Sequence, residues 1–77
     1  MRNQLTNIGQ TIRKRRQLLG LLQPHLASIS GVSTRTIQFV EKGKGNPSLE
    51  ILMKILDPLG LQINLSLKET GNNYQPE

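Results

Sequence analysis

The tripeptide Gly31-Val32-Ser33 constrains the fold of this chain more than any other feature, because it separates two short segments with helical patterns, residues 23–30 and 34–41. Glycine tolerates the positive φ that a tight turn between two helices requires. Ser33 follows as a favoured N-cap, since its hydroxyl can accept a backbone N–H from the first turn of a helix. The sequence therefore predicts two short helices joined by a tight turn, with Val32 filling the gap between them.

Each of these two helices has apolar residues on the side that would meet the other. Leu26, Ala27 and Ile29 give the first helix a small apolar face. Ile37 and Val40 recur at i and i+3 in the second helix and should point inward. The pattern predicts that the pair packs on a shared core.

Polar side chains occupy the outer face of the second helix near its N-terminal end. Thr34, Arg35 and Gln38 can meet base edges and phosphates. In a DNA-binding helix-turn-helix, this end of the second helix enters the major groove. The segment from Gln23 to Glu41 is therefore predicted to be a helix-turn-helix, with Arg35 as a candidate bidentate contact to guanine.

Basic residues are concentrated in the part of the chain that carries this motif. Residues 1–44 contain eight Lys and Arg residues against Glu41 alone, whereas residues 45–77 contain two basic residues against four acidic ones. Neutralising phosphates releases counterions, so this asymmetry is typical of a nucleic-acid surface. A solvated charged face kept for solubility explains the same distribution, and charge alone leaves both interpretations open.

Length and composition narrow the remaining classes of function. The 77 residues allow one domain with a small core, for which oligomerisation is expected. Cysteine is absent and His25 is the sole histidine, with no catalytic partner near it, so we expect no metal site, no cofactor and no enzyme. No apolar run approaches the ~18 residues of a membrane span, and the N-terminus lacks the apolar core of a signal peptide. These features predict a cytoplasmic protein that does not enter a membrane.

Two further helices are expected, one on each side of the motif. The first is predicted to begin at a cap formed by Thr6 or Asn7. The other is predicted to begin at Ser48 and to end or kink at Asp57, because the ring of Pro58 clashes with a helical carbonyl. The apolar stripe expected on this last helix comprises Leu49, Leu52, Met53 and Leu56.

Residues 61–68 alternate between apolar and polar side chains without a break, which predicts a β-strand. The apolar members are Leu61, Ile63, Leu65 and Leu67. A lone strand in a helical chain has no ladder partner, so we predict antiparallel pairing with the same strand of a second copy across a two-fold axis. Residues 69–77 are too polar to fold alone and are expected to form a disordered tail.

From residue 12 to residue 61 the chain resembles the Xre family, the group that contains phage repressors and Cro. The positions that carry the resemblance are Arg16, Leu19-Gly20-Leu21, Gln23, Leu26-Ala27, Gly31-Val32-Ser33, Thr36-Ile37, Glu41, Gly43, Asn46-Pro47-Ser48-Leu49 and Leu59-Gly60-Leu61. The resemblance implies a mainly α fold, with a compact four-helix helix-turn-helix domain of phage-repressor type over residues 1–60. The expected C-terminal β-strand, residues 61–68, pairs across a dimer. Leu22 departs from the polar N-cap that the family usually places before this glutamine.

The same resemblance implies roles for individual residues. Arg16 and Glu41 are expected to form a structural ion pair, and Gln23 is expected to contact a phosphate while bracing the recognition helix. The predicted DNA-binding residues are Gln23, Ser33, Thr34, Arg35, Thr36, Gln38, Phe39, Lys42, Lys44 and Asn46. Phe39 is open to two interpretations, a contact to a thymine methyl group or a ring resting on the surface. Gln23, Lys42 and Lys44 can likewise be ordinary solvated side chains.

Four helices followed by a strand are similar to the HipB-type antitoxins of toxin–antitoxin modules. This likeness implies a dimeric repressor that binds a palindromic site in double-stranded DNA, autoregulates its operon and binds a HipA-type kinase toxin. Two alternatives stay open: a stand-alone Xre-type regulator, such as a prophage repressor or restriction controller, and a protein-interaction module whose basic face is incidental. Tyr74 is either an aromatic anchor for a partner or part of an unused terminus.

Overall fold

Four α-helices make up most of the chain in the computed structural model, which describes residues 2–68. The helices are α1 (Arg2–Leu18), α2 (Gln23–Ser30), α3 (Thr34–Glu41) and α4 (Leu49–Leu56), and a short 3₁₀ helix covers Asp57–Leu59. The predicted four-helix arrangement with the helix-turn-helix at its centre is confirmed. Within residues 2–68 no helix is long and apolar enough to cross a membrane.

One apolar core joins the helices. Its most deeply buried side chains come from all four α-helices and the 3₁₀ helix, and they are Ile12, Leu26, Ile37, Ile55 and Leu59. Val32 and Val40 are buried beside them. The inward residues predicted for the motif therefore meet in this core, except Ile29, which is exposed.

The turn between α2 and α3 has the predicted geometry. Gly31 has a φ of +75°, and its N–H donates to the Ala27 carbonyl over 2.9 Å. Ser33 caps α3, because its Oγ accepts the Thr36 N–H at 3.1 Å. The turn glycine and the cap thus fix the angle at which α3 leaves α2.

The start of α1 differs from the sequence prediction. The helix begins at Arg2 rather than at a cap formed by Thr6 or Asn7. Residues 2–5 contain no Gly or Pro to stop the helix, and the backbone at Thr6 lies against Gly43, where an added Cβ would stand 3.0 Å from the Thr6 Cα. Thr6, which the sequence pattern placed at the helix boundary, therefore lies inside α1 because its backbone packs on the loop after α3.

The buried stripe of α4 also differs from the prediction. Leu49 and Met53 are exposed, whereas Leu52, Ile55 and Leu56 are buried. Six of the eight residues of α4 are apolar, so the sequence fits more than one helical stripe. Packing on the core selects the face that includes Ile55.

Residues 61–68 form neither a helix nor a β-strand in the described chain, so the predicted strand is absent from the single chain. The physical reason is that ladder hydrogen bonds need a second strand, and residues 2–68 contain none. Leu61 is half-buried, whereas Leu65 and Leu67 are 96% and 94% exposed. The predicted tail, residues 69–77, lies outside the described residues.

Candidate nucleic-acid interface

The outer face of α3 carries the polar side chains that the sequence assigns to DNA reading. Arg35, Gln38 and Phe39 are exposed, while Ile37 and Val40 on the opposite face are buried in the core. The first turn of α3 adds Thr34 and Thr36, which are half-buried. The core therefore fixes which side of α3 is free to meet a ligand.

Phe39 lies under the guanidinium group of Arg35. The Arg35 Cζ is 5.5 Å from the centroid of the Phe39 ring, within the range of a cation–π contact. The two residues are one turn apart on the same helix, where side chains four positions apart are neighbours. Phe39 can therefore orient Arg35, a role that neither sequence interpretation of Phe39 included.

Ser33 and Thr36 are bound to each other at the start of α3. The Ser33 Oγ donates to the Thr36 Oγ1 at 2.9 Å and also accepts the Thr36 N–H. Their hydroxyls thus order the first turn of the helix. The Thr36 hydroxyl hydrogen is not used in these two bonds, so it could be donated to a phosphate of DNA.

A buried ion pair joins α1 to the end of α3. The Arg16 Nε donates to the Glu41 Oε2 at 2.7 Å, and the Arg16 Nη2 donates to the Glu41 Oε1 at 3.0 Å. The third nitrogen, Nη1, donates to the Leu21 carbonyl at 2.7 Å. Both side chains are buried, and the hydrogen bond to Glu41 raises the pKa of Arg16 although burial opposes it. A bidentate pair of this kind holds the two helices in one register.

Gln23 adds the start of α2 to this pair. Its Nε2 donates to the Glu41 Oε1 at 3.1 Å. The Glu41 carboxylate therefore receives hydrogen bonds from α1 and from α2 while it belongs to α3. Gln23 braces α3 in this way, and the second hydrogen of its amide nitrogen is available to another acceptor.

Gly9 permits the close approach of α1 to α3 and was not singled out from the sequence. A Cβ at this position would collide with the Val40 carbonyl oxygen and would lie 2.8 Å from the Glu41 carbonyl oxygen. A glycine in a helix interior costs about 1 kcal/mol relative to alanine, so its presence there signals a close contact. In the sequence, the only indication of this contact was a glycine at a position predicted to be inside a helix.

His25 supplies a cap for α2 that sequence reasoning also missed. Leu22 occupies the N-cap position and has no polar side-chain atom, but its backbone N–H donates to the His25 Nδ1 at 3.2 Å. This is the half of a capping box that the third helical residue provides. The position of His25, three residues after the N-cap residue Leu22, could have indicated this capping role.

The loop after α3 presents three further predicted contacts. Lys42, Lys44 and Asn46 are exposed, and neither lysine pairs with a carboxylate of residues 2–68. Gly43 has a φ of +73°, its N–H donates to the Val40 carbonyl, and the Lys44 N–H donates to the Phe39 carbonyl. These two bonds form a Schellman motif, which anchors the start of the loop to α3.

Several relatives match more than half of this chain. A protein of Haemophilus influenzae is 46% identical over 50 residues, which are 65% of this chain and 51% of the relative. A protein of Archaeoglobus fulgidus is 50% identical over 44 residues, 57% of this chain and 63% of the relative. Another, of Methanocaldococcus jannaschii, is 46% identical over 48 residues, 62% of this chain and 73% of the relative. Each is named an uncharacterized HTH-type transcriptional regulator.

The first two matches span about half and just under two thirds of those relatives' own lengths. The helix-turn-helix family matches residues 12–66, well over half of the chain. The matched range includes the buried ion pair, α3 and the loop that follows it. The chain belongs to the Xre-type helix-turn-helix family.

Proposed function

We propose that the protein is a sequence-specific DNA-binding transcriptional regulator whose recognition helix is α3. The observation that carries the proposal is the fixed outward face of α3. Arg35 and Gln38 face solvent, while the hydrogen bonds of Glu41 to α1 and α2 hold the helix in place. A rigid helix with arginine and glutamine on its free face matches the chemistry of base reading in the major groove. The names of the relatives support the same function.

We further propose that the regulator acts as a dimer. Leu65 and Leu67 are almost wholly exposed on a segment whose alternation suits a strand. Pairing with a second copy would cover these side chains and satisfy the open backbone groups. Two recognition helices related by a two-fold axis would then meet successive major grooves, so the operator should be palindromic with half-sites about one helical turn apart.

Selection from a random-sequence DNA library tests both statements. The full chain should enrich duplexes with two inverted half-sites whose centres are about 10 base pairs apart. Binding of all duplexes with equal affinity would contradict sequence-specific regulation. Enrichment of one unpaired half-site would contradict the dimer but retain the reading role of α3.

The dimer has its own test in sedimentation equilibrium. Leu65→Lys combined with Leu67→Lys should give monomers, because like charges would replace the apolar surface of the pairing segment. These two positions are preferable to Ile63, which lines a groove with Ile8 and Leu56 of its own chain. A double variant that remains dimeric would exclude pairing through residues 61–68.

For the biological role, we propose a repressor that autoregulates its operon as the antitoxin of a HipBA-like module. The support is the likeness of the four-helix layout and of the alternating residues 61–68 to HipB-type antitoxins. A kinase toxin of HipA type would bind away from α3, at an exposed surface formed by Leu49, Met53, Asp57 and the Glu50–Lys54 ion pair, which carries one net negative charge. An exposed acidic and apolar surface suits a protein partner rather than DNA.

Co-expression with the product of the adjacent gene distinguishes this role from a stand-alone Xre-type regulator. An antitoxin should elute with that product as one complex in size-exclusion chromatography and should still bind the operator. Separate elution, with operator binding unchanged by the neighbour, would favour the stand-alone regulator. The reading role of α3 is common to both.

A further inference from the structure

An open cleft lies between α1, the start of α2 and the end of α3. Its volume is about 490 Å³. Arg13 lines it from α1, Gln23 from α2, and Gln38 and Lys42 from α3 and the residue after it. Arg13 is outside the helix-turn-helix and was not among the residues predicted to bind DNA.

The charges in this cleft do not cancel. Arg16 and Glu41 also line it, but they are buried and paired with each other at 2.7 Å, so together they add no net charge. Arg13 and Lys42 are exposed, and neither forms an ion pair with a carboxylate of the described chain. The cleft therefore carries two uncompensated cations, which select an anion.

The position of Arg13 is set by the ion pair beside it. Arg13 precedes Arg16 by three residues, so the two side chains occupy neighbouring positions on one side of α1. The bonds from Arg16 to Glu41 and to the Leu21 carbonyl fix the rotation of α1. Arg13 consequently lines the cleft beside α3, and the residue is exposed.

The cleft opens on the same side of the molecule as the recognition helix, since Gln38 belongs both to the cleft and to the exposed face of α3. We infer that Arg13, with Lys42, binds a backbone phosphate of the DNA strand that passes beside Gln23. The planar fork of an arginine suits two phosphate oxygens, and Lys42 adds a mobile point charge. This inference rests on the proposed DNA-binding function and extends the contact surface from the motif to α1.

The test compares Arg13→Gln with Lys14→Gln in the full chain. Both changes remove one positive charge from adjacent exposed positions of α1, but Lys14 does not line the cleft. Affinity for the selected operator and for a random duplex is measured over a range of salt concentrations, and melting curves verify that both variants fold. For each subunit bound, Arg13→Gln should lower affinity for both duplexes about 5- to 10-fold near 0.1 M salt and reduce the slope of log K against log salt by about 0.9.

Lys14→Gln should leave the slope close to that of the unmodified chain. Equal changes in the two variants would overturn the inference, because they would show a general field rather than a contact. If the unmodified chain binds neither duplex, the proposed function itself fails. That outcome is distinct from equal losses of affinity in the two variants.

A second arm separates DNA phosphate from a free phosphate ion as the ligand. Millimolar inorganic phosphate, added without DNA at constant ionic strength, should leave the melting temperature of the chain unchanged. A phosphate-dependent rise that Arg13→Gln abolishes would assign the cleft to the free ion and overturn the DNA contact.

Discussion

The polar groups between α1 and α3 find their partners within one chain, whereas the apolar side chains near the end of residues 61–68 have no packing partner in the described part of that chain. Among the described residues no buried side-chain nitrogen or oxygen lacks a hydrogen-bond partner, and the buried charges of Arg16 and Glu41 pair with each other. Leu65 and Leu67, in contrast, expose nearly all of their surface. The contact between α1 and α3 therefore needs no second chain, and the exposure of Leu65 and Leu67 is the ground for the proposed dimer contact.

The largest effect is expected at the ion pair. Glu41→Ala leaves the Arg16 guanidinium buried without its counter-charge and removes the acceptor of Gln23, so it should lower the free energy of unfolding by about 3–5 kcal/mol. Urea titration followed by circular dichroism measures the change.

Glu50→Ala is the matched control for this substitution. Glu50 pairs with Lys54 at 3.7 Å, but both side chains are exposed. Its loss should cost at most about 1 kcal/mol. Equal destabilisation by the two substitutions would mean that the α1–α3 contact does not depend on the buried pair.

A smaller effect is expected at Gly9. Gly9→Ala adds a methyl group that collides with the end of α3, and overpacking of this kind should destabilise the fold by about 1–3 kcal/mol. Gln10→Ala, at the next and exposed position, serves as control for the general effect of alanine in α1. If Gly9→Ala melts above the unmodified chain, as helix propensity alone predicts, the close approach of the two helices is not needed for stability.

The smallest effect on the folded unit is expected in the C-terminal segment. In the monomer, Leu65→Lys with Leu67→Lys should change the free energy of unfolding by no more than about 0.5 kcal/mol, because neither side chain packs on the core. If the dimer forms, the melting temperature of the unmodified chain should rise with protein concentration, and that of the double variant should not. Strong destabilisation of the variant at every concentration would show that this segment belongs to the monomer core.

Local chemistry explains which parts of the fold could be predicted. The turn at Gly31 and the cap at Ser33 each depend on one residue whose conformational preference decides the structure. The stripe of α4 depends on tertiary packing, because several apolar registers fit the same helix. The role of Gly9 depends on a neighbour more than 30 positions away in sequence, which no local pattern contains.

The candidate site divides in the same way. The exposed face of α3 follows from helical periodicity, so the exposure of Arg35 and Gln38 could be predicted from the sequence. The contact between Arg35 and Phe39 required knowledge of side-chain placement, because an exposed aromatic residue has several uses. The cap from His25 was missed because histidine is an uncommon residue in a capping box.

The most direct test of base reading by α3 compares the affinity of Arg35→Ala with that of the unmodified chain. Binding to the selected operator and to random DNA is measured by fluorescence anisotropy at one fixed salt concentration. Loss of a bidentate guanine contact should weaken operator binding by about 1–3 kcal/mol and should weaken random-DNA binding much less. Phe39→Leu, which keeps Arg35 but removes the ring beneath it, should give a loss of about 0.5–1 kcal/mol in the same direction. An equal loss on both DNAs after Arg35→Ala would show that Arg35 contacts phosphate, and it would contradict the base-reading role assigned to α3.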